Sequence, residues 1–303
     1  KDNKVKTPRG GGLLIWGTVL ILSALIALLD YLFGGIFSKI NFLSRSETWL
    51  PLFTLVAAGL LGLFDDILTT HNKKDSLIEG FSLGKRIVLV LFIGLVGALW
   101  FHFKLGWDTI HIPFFGNFYI NGFYIPIFAI SMVAVFSSGV IDGIDGMSGG
   151  VFAFLFMLFG VIAFLRGQVD LAAFCAVIVS TMAVFLLFNV PPAKFYLGET
   201  GILPITTTLT VIAFLTNTII LLPIAGIVLV ATTGSNIIQL LYRRYGIKKG
   251  WSREKRKFFR AAPLHHHFQL KKIQDETIVI RYWIVTGIAC VAALMIYLLD
   301  KGL

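Results

Sequence analysis

The sequence predicts an all-α polytopic membrane protein, with about nine helices in one bundle, polar loops carrying the chemistry and one short β-hairpin. Three observations carry that prediction. The chain has 303 residues, of which 57% are hydrophobic and only 14% charged, with a mean hydropathy of +0.86. Water-soluble domains do not reach such values. Its apolar residues fall in long uninterrupted runs, near the length a helix needs to cross a bilayer. Its charges are unevenly distributed between the loops that join those runs.

Taken in order, apolar stretches run over 13–33, 50–67, 86–103, 122–141, 149–165, 171–188, 201–217, 219–241 and 278–299. Several are joined by almost nothing, so they are expected to be antiparallel neighbours in a single domain over 1–303. No internal repeat or low-complexity segment interrupts them. If the loops alternate sides, the faces formed by 1–12, 68–85, 142–148, 189–200 and 242–277, with Arg86 and Arg281 at helix mouths, hold 21 of the 26 Lys and Arg residues. The positive-inside rule makes that face cytoplasmic. The net charge of +10 is therefore read as topology and as attraction to anionic lipid or ligand, not as nucleic-acid binding. The two cysteines, Cys175 and Cys290, lie inside apolar runs, so neither a disulfide framework nor a CxxC metal site is expected. Lys1 to Gly12 is basic and glycine-rich without an apolar core, so no signal peptide is expected there. On the opposite face, 111–122 alternates apolar and polar residues around Gly116-Asn117 and reads as a short periplasmic hairpin of structural role.

The chemistry-bearing residues all fall on the basic face. Asp142-Gly143-Ile144-Asp145-Gly146 sets two carboxylates three residues apart among glycines at a helix mouth. Ionisable groups there are rare and mark sites. Such a pair can hold a hard divalent cation that grips phosphate, although Asp and Gly also make ordinary turns. Asp65-Asp66 closes a span with adjacent like charges, which fits magnesium recruitment, or one metal ligand and one general base. Asn189-Val190-Pro191-Pro192-Ala193-Lys194 leaves one helix, and Gly198-Glu199 opens the next. Lys194 is placed to face phosphate. Glu199 is a candidate site acid, although an acid at a helix start is favourable as a plain cap. The run His265-His266-His267 follows a strongly basic segment. Histidines move protons, bind metals or contact phosphate, but three in a row cannot all point one way. Lys4, Arg9 and Lys85 are further basic candidates from the loops.

Together and in this order, these segments resemble the polyprenyl-phosphate N-acetylhexosamine-1-phosphate transferase superfamily over nearly the whole chain. Phe64-Asp65-Asp66, Asp142-Gly143-Ile144-Asp145-Gly146 and Asn189 to Glu199 resemble its DD, DGxDG and N-x-PA-x-x-FMGD patterns, and Thr7-Pro8-Arg9-Gly10-Gly11 its TPTMGG loop. Ala262-Pro263-Leu264-His265-His266-His267-Phe268 resembles the PxHHHF loop of the branch that handles phospho-N-acetylmuramoyl-pentapeptide. The resemblance implies a Mg²⁺-dependent transfer of that group from UDP-N-acetylmuramoyl-pentapeptide to undecaprenyl phosphate within the bacterial inner membrane, giving lipid I and UMP. It implies Asp142, Glu199 or both as metal ligands and Asp65 as the group that deprotonates or orients the lipid phosphate. A covalent route through Glu199 is the competing idea. Asp66 is grouped with the catalytic set. His265 and Lys194 are implied to stabilise diphosphate, and Asn189, Asp145 and Gln239 to place uridine and sugar. Lys4, Arg9, Lys85, His266 and His267 complete the binding set, and a homodimer is the oligomer considered. Another hexosamine donor, or a cation-coupled transporter relaying through Asp66, Asp142 and Glu199, are the alternatives. A transporter of that kind calls for mid-membrane acids and paired repeats, and the sequence has neither. Three departures stand out. Glu199 replaces an aspartate, Gly139 replaces an asparagine that would bring a side-chain hydrogen bond, and Arg9 replaces a threonine. The family has ten spans where nine are counted here, so the sequence starts late or lacks the first.

Overall fold

The computed structural model describes residues 7–44, 46–71, 81–252 and 254–302. Twelve α-helices and one two-stranded sheet make up the described chain: α1 (Gly12–Phe33), α2 (Ile36–Ile40), α3 (Ser46–His71), α4 (Leu83–Leu99), β1 (Thr109–Ile112), β2 (Gly116–Tyr119), α5 (Tyr124–Ser137), α6 (Met147–Leu165), α7 (Val169–Asn189), α8 (Glu199–Leu215), α9 (Leu221–Ala225), α10 (Ile227–Lys248), α11 (Leu264–Gln269) and α12 (Asp275–Lys301). Among the described residues, seven helices are long and apolar enough to cross a membrane: α1, α3, α4 with its π-turn extension to Lys104, α5 with its flanking 3₁₀ turns, α6, α7 and α12. This is an all-α polytopic membrane protein.

The other two expected stretches behave differently, for local reasons. α8 is apolar but only 17 residues long. The 219–241 stretch is not one helix: it breaks at Gly226 between α9 and α10, and α10 continues through Arg243 and Arg244 to Lys248. Gly226 leaves the helical region at φ −89°, ψ 31°.

α8 is the axis of the bundle. Every residue from Thr200 to Leu215 is buried, the signature of a helix covered on all sides. Its threonines bring hydroxyls into that dry interior, and Thr206, Thr207 and Thr210 each donate to a carbonyl four residues back, which removes the cost of burying them. Small residues let neighbours close in. A Cβ on Gly12 of α1 would stand 2.1 Å from the Gly201 backbone nitrogen. One on Gly62 of α3 would stand 2.2 Å from the Glu199 carbonyl oxygen. Backbones at that distance are how helices pack where the hydrophobic effect gives no net drive. The outer faces of α1, α4 and α12 expose Ile21, Leu28, Phe92, Ile284 and Ile288, as surfaces solvated by lipid do.

The hairpin forms, with Ile112 opposite Gly116. Its turn is Pro113–Phe115, and Gly116-Asn117 opens the second strand rather than making the turn. Phe114 takes the positive φ of 67° that closes it. His111 fixes the hairpin to the end of α12: its Nε2 lies 2.7 Å from Asp300 Oδ2, and the Phe114 N–H donates to Asp300 Oδ1 at 2.6 Å.

Candidate active site

Four segments far apart in sequence meet where α3 ends and α8 begins. α3 ends its apolar face at Asp65 and Asp66, which are 2% and 5% exposed. Burial on that scale requires compensation. Asp66 receives it from the start of α8: its Oδ2 accepts the Thr200 N–H at 2.9 Å and the Thr200 hydroxyl at 2.6 Å. A carboxylate at a helix N-terminus is also favoured by the helix dipole. Gly198 makes this approach possible, since it turns at φ 68° and a Cβ there would lie 2.5 Å from Asp66 Oδ2.

Asp65 is held from the other side. Arg86, in the first turn of α4, places Nη2 2.8 Å from Asp65 Oδ2 and pairs through Nη1 with Glu199 Oε1. The Phe81 N–H donates to Asp65 Oδ1 at 2.5 Å. One guanidinium thus ties the end of α3 to the start of α8. A planar fork offers two carboxylates separate N–H groups in a fixed geometry, whereas an ammonium is a compact point charge. Glu199 keeps its second oxygen, Oε2, buried without a hydrogen-bond partner among the described residues.

The Asp142 loop completes the ring of acids. Asp142 accepts the Ser148 hydroxyl at 2.6 Å. Burial pushes its carboxyl up to about 6, and the nearby charges of Asp66 and Asp145 add to the rise, while hydrogen bonds from Ser148 and the Gly198 backbone oppose it. Asp145 caps the Ala193 N–H at 3.0 Å. Asn189 is 3% exposed and bonded on both sides of its amide: it accepts from the Gly146 N–H at 3.0 Å and donates to the Phe195 carbonyl at 2.9 Å. It fastens the 189–196 crossing to the acid loop.

A cavity of about 370 Å³ opens among these groups, lined by Arg9, Asp66, Arg86, Asp142, Asp145 and Glu199, with Asn189, Tyr196 and the glycines 139, 143 and 198. The loop before α1 reaches it through backbone pairing: Gly11 N–H to the Tyr196 carbonyl, 2.8 Å, and Tyr196 N–H to the Pro8 carbonyl, 2.9 Å. Arg9 is thereby carried to the rim.

The histidines divide. His265 is fully buried and its Nε2 edge abuts the acid loop, where a Cβ on Gly143 would stand 2.3 Å from Nε2. Both ring nitrogens lack a hydrogen-bond partner among the described residues. Burial, together with the His266 charge, holds the His265 imidazole down at about 4, so it is neutral at pH 7. His266 turns to Gln269, 2.7 Å from Nδ1 to Oε1, and His267 accepts the Arg260 N–H at 3.3 Å.

Most of the sequence candidates converge, and some do not. Arg9, Asp66, Asp142, Asp145, Asn189 and Glu199 line the cavity; Asp65 stands behind it through Arg86, and His265 stands beneath Gly143. Lys194 lies outside the lining, with Nζ 5.4 Å from the centre of the Phe188 ring. Lys85 is exposed and also outside it. Gln239 clamps the basic loop instead, donating to the Arg256 carbonyl at 3.1 Å and accepting the Phe259 N–H at 2.9 Å. Lys4 lies outside the described residues. The residue that motif reading missed is Arg86. Its signal was local: Lys85 and Arg86 put two cations in the first turn of a helix, where the dipole disfavours them. The Gly139 departure also has a local cause, because a Cβ there would meet Ile202 Cγ2 at 2.3 Å. Ile202 of α8 fills the space a longer side chain would need.

The model of the family described as glycosyl transferase family 4 matches residues 48–217, which take in Asp65, Asp66, Asp142, Asp145, Asn189 and Glu199. The chain belongs to that family. Curated relatives of this family 4 transferase extend the likeness beyond the matched segment. It is 33% identical over 282 residues to the phospho-N-acetylmuramoyl-pentapeptide-transferase of Listeria innocua serovar 6a, covering 92% of this chain and 81% of the relative. Against the protein of the same name from Listeria welshimeri serovar 6b it is 33% identical over 281 residues, with the same coverage. Against that of Chloroflexus aurantiacus it is 31% identical over 304 residues, 98% of this chain and 78% of the relative, which takes in the His265 loop.

Proposed function

We propose that this family 4 transferase moves phospho-N-acetylmuramoyl-pentapeptide from its UDP carrier to undecaprenyl phosphate, making lipid I and UMP for peptidoglycan synthesis. The observation that carries the reading is the single cavity into which Arg86, Asp66, Asp142 and Glu199 converge, with His265 packed against its floor. The names of the relatives supply the substrates.

Two anions must meet in this reaction, and a phosphate oxygen of the lipid must attack the sugar-bearing phosphorus while the bond to UMP breaks. Arg9 on the rim and Arg86 within the cavity offset that charge. Asp65 acts through Arg86, aligning its guanidinium and orienting the lipid phosphate. His265, neutral, has two ring nitrogens free to donate to or accept from a diphosphate or its water. Asn189 and Asp145 hold the loop geometry that places the donor.

The donor set fits Mg²⁺. It consists of carboxylate oxygens, the ligands this hard ion takes, and Glu199 Oε2 is buried and unsatisfied. No three His, Cys, Asp or Glu side chains among the described residues form a closed metal cluster. Mg²⁺ is commonly bound through one or two carboxylates together with waters and phosphate oxygens. Asp142 and Glu199 would hold it, and it would supply neutralisation of the diphosphate charge.

An apolar cavity of about 440 Å³ between α5, α9 and α10 ends at Ser138, one residue from Gly139 of the acid cavity. We assign it to the polyprenyl tail near the reacting phosphate. The Lys and Arg asymmetry supports reading this end of the bundle as the cytoplasmic side of the inner membrane, and the whole chain is taken as one transferase domain. Purified protein given labelled donor, Mg²⁺ and undecaprenyl phosphate should form a labelled lipid with release of UMP. An N-acetylglucosamine donor should compete poorly. Preference for that donor would reassign the substrate, and no lipid product with either would overturn the reading.

A further inference from the structure

A second cleft lies on the far side of α10 from the apolar cavity described above. It has a volume of about 330 Å³ and is bounded by α10, α11 and α12. Val228 and Ala231 form one wall, Leu264 and Phe268 another, and Ile278 and Val285 the third. One charged residue lines it, Arg281. Arg281 is exposed and makes no hydrogen bond or ion pair with any described residue. Its helical neighbours at three and four residues are Thr277, Ile278, Ile284 and Val285, so no acid on α12 is spaced to pair with it. Ile280 and Ile284 beside it are 53% and 56% exposed on the lipid-facing side of α12.

Position along the helix fixes what such an arginine meets. Asp275 and Glu276 begin α12. Arg281 stands about 9 Å further along the axis, at 1.5 Å per residue. A guanidinium at that depth extends toward the headgroup layer while its stem lies along apolar surface. Lys271 and Lys272, both exposed, directly precede Ile273, which lines the same cleft from the turn before α12. An apolar slot with a cationic rim at the bilayer edge matches a lipid that has an acyl chain and an anionic phosphate head.

We infer that the cleft between α10, α11 and α12 binds one anionic phospholipid of the surrounding leaflet, its phosphate on Arg281 and an acyl chain against Ala231, Phe268 and Val285. Leu264 and Phe268 belong to α11 and flank the turn that bears His265. The bound lipid therefore braces α11 from the face next to the one that carries His265.

The test uses lipid retention and local protection, not catalysis. The intact protein is taken from nanodiscs containing phosphatidylglycerol and phosphatidylcholine, and retained lipid is counted by native mass spectrometry. The unmodified chain should keep phosphatidylglycerol in preference to phosphatidylcholine, and Arg281→Gln should lower that retention at least tenfold. Arg281→Lys should restore most of it, and Ala231→Trp, which fills the slot, should abolish it with Arg281 intact. Amide exchange over 264–269 should be slower in phosphatidylglycerol discs for the unmodified chain and unchanged between lipids for Arg281→Gln. Equal retention by all variants, equal retention of phosphatidylcholine, or mole-for-mole displacement by undecaprenyl phosphate would each overturn the assignment. The last result would make the cleft a substrate site instead.

Discussion

The ring of His265 occupies the space where a side chain on Gly143 would begin, 2.3 Å from the position of its Cβ. The histidine loop and the acid loop are therefore one interlocked unit although 122 residues separate them. Adding a single methyl group at Gly143 must move the imidazole, because Gly143 is backbone on a tight turn and cannot yield. Gly143→Ala should lower turnover by about 10²-fold, the usual result of displacing a reacting group by about 1 Å. Its melting temperature should shift only modestly. Steady-state transfer kinetics beside a thermal melt would check this.

Arg86 should be indispensable in a way its neighbour is not. Arg86→Gln leaves buried Asp65 without its cation, a loss of about 3–5 kcal/mol for a pair broken on one side. Activity should fall by at least two orders of magnitude. Arg86→Lys keeps the charge but loses the rigid fork that spans Asp65 and Glu199, and should recover only part of the rate. Lys85→Gln, at an exposed position outside the cavity, should retain most of it. Turnover of the three variants measured side by side would decide whether the bridge matters.

The acids and bases that motif reading singled out were legible because charge is costly in so apolar a chain. Asp65, Asp66, Asp142 and Glu199 stood out for that reason, and they do meet. What could not be read was which polar groups serve the site directly and which hold its frame. Asn189 and Gln239 resemble ligands in sequence, and each also ties down backbone partners, Asn189 in the cavity lining and Gln239 away from it. Ile202 looked like any core residue, although its methyl group fills the space left at Gly139. The break at Gly226 escaped notice because hydropathy is blind to a bend inside an apolar run.

Asn189 should accordingly behave as a fastener. Asn189→Ala removes an acceptor from the Gly146 N–H and a donor to the Phe195 carbonyl, each left unpaired in a buried place at about 1–3 kcal/mol. The variant should lose several degrees of thermal stability and lose activity with it. Asn189→Asp keeps the acceptor alone and should be intermediate. Melting temperatures in detergent measure both.

Two pH effects should separate. Burial raises the Asp142 carboxyl to about 6, so its ionised fraction, and with it the hold on the proposed divalent cation, should fall as pH drops below 6. The acid limb of the rate profile should steepen there and shift in Asp142→Asn. His265 acts on stability. Its folded value of about 4 lies below the unfolded 6.5, so the unfolded chain takes up the proton first. The contribution is complete above pH 6.5 and lost as pH falls from 6.5 to 4. Melting temperatures at pH 7.5 and 5 should differ less in His265→Gln than in the unmodified protein.

The most direct test is a Mn²⁺ titration, with Mn²⁺ standing in for Mg²⁺, followed by the spin-resonance signal of the free ion in the presence of UDP-linked donor. Convergence of Asp142 and Glu199 on one ion predicts a single tight site, weakened at least tenfold by Asp142→Asn and by Glu199→Gln, and unaffected by Lys194→Gln. Binding undiminished in both carboxylate variants would contradict it.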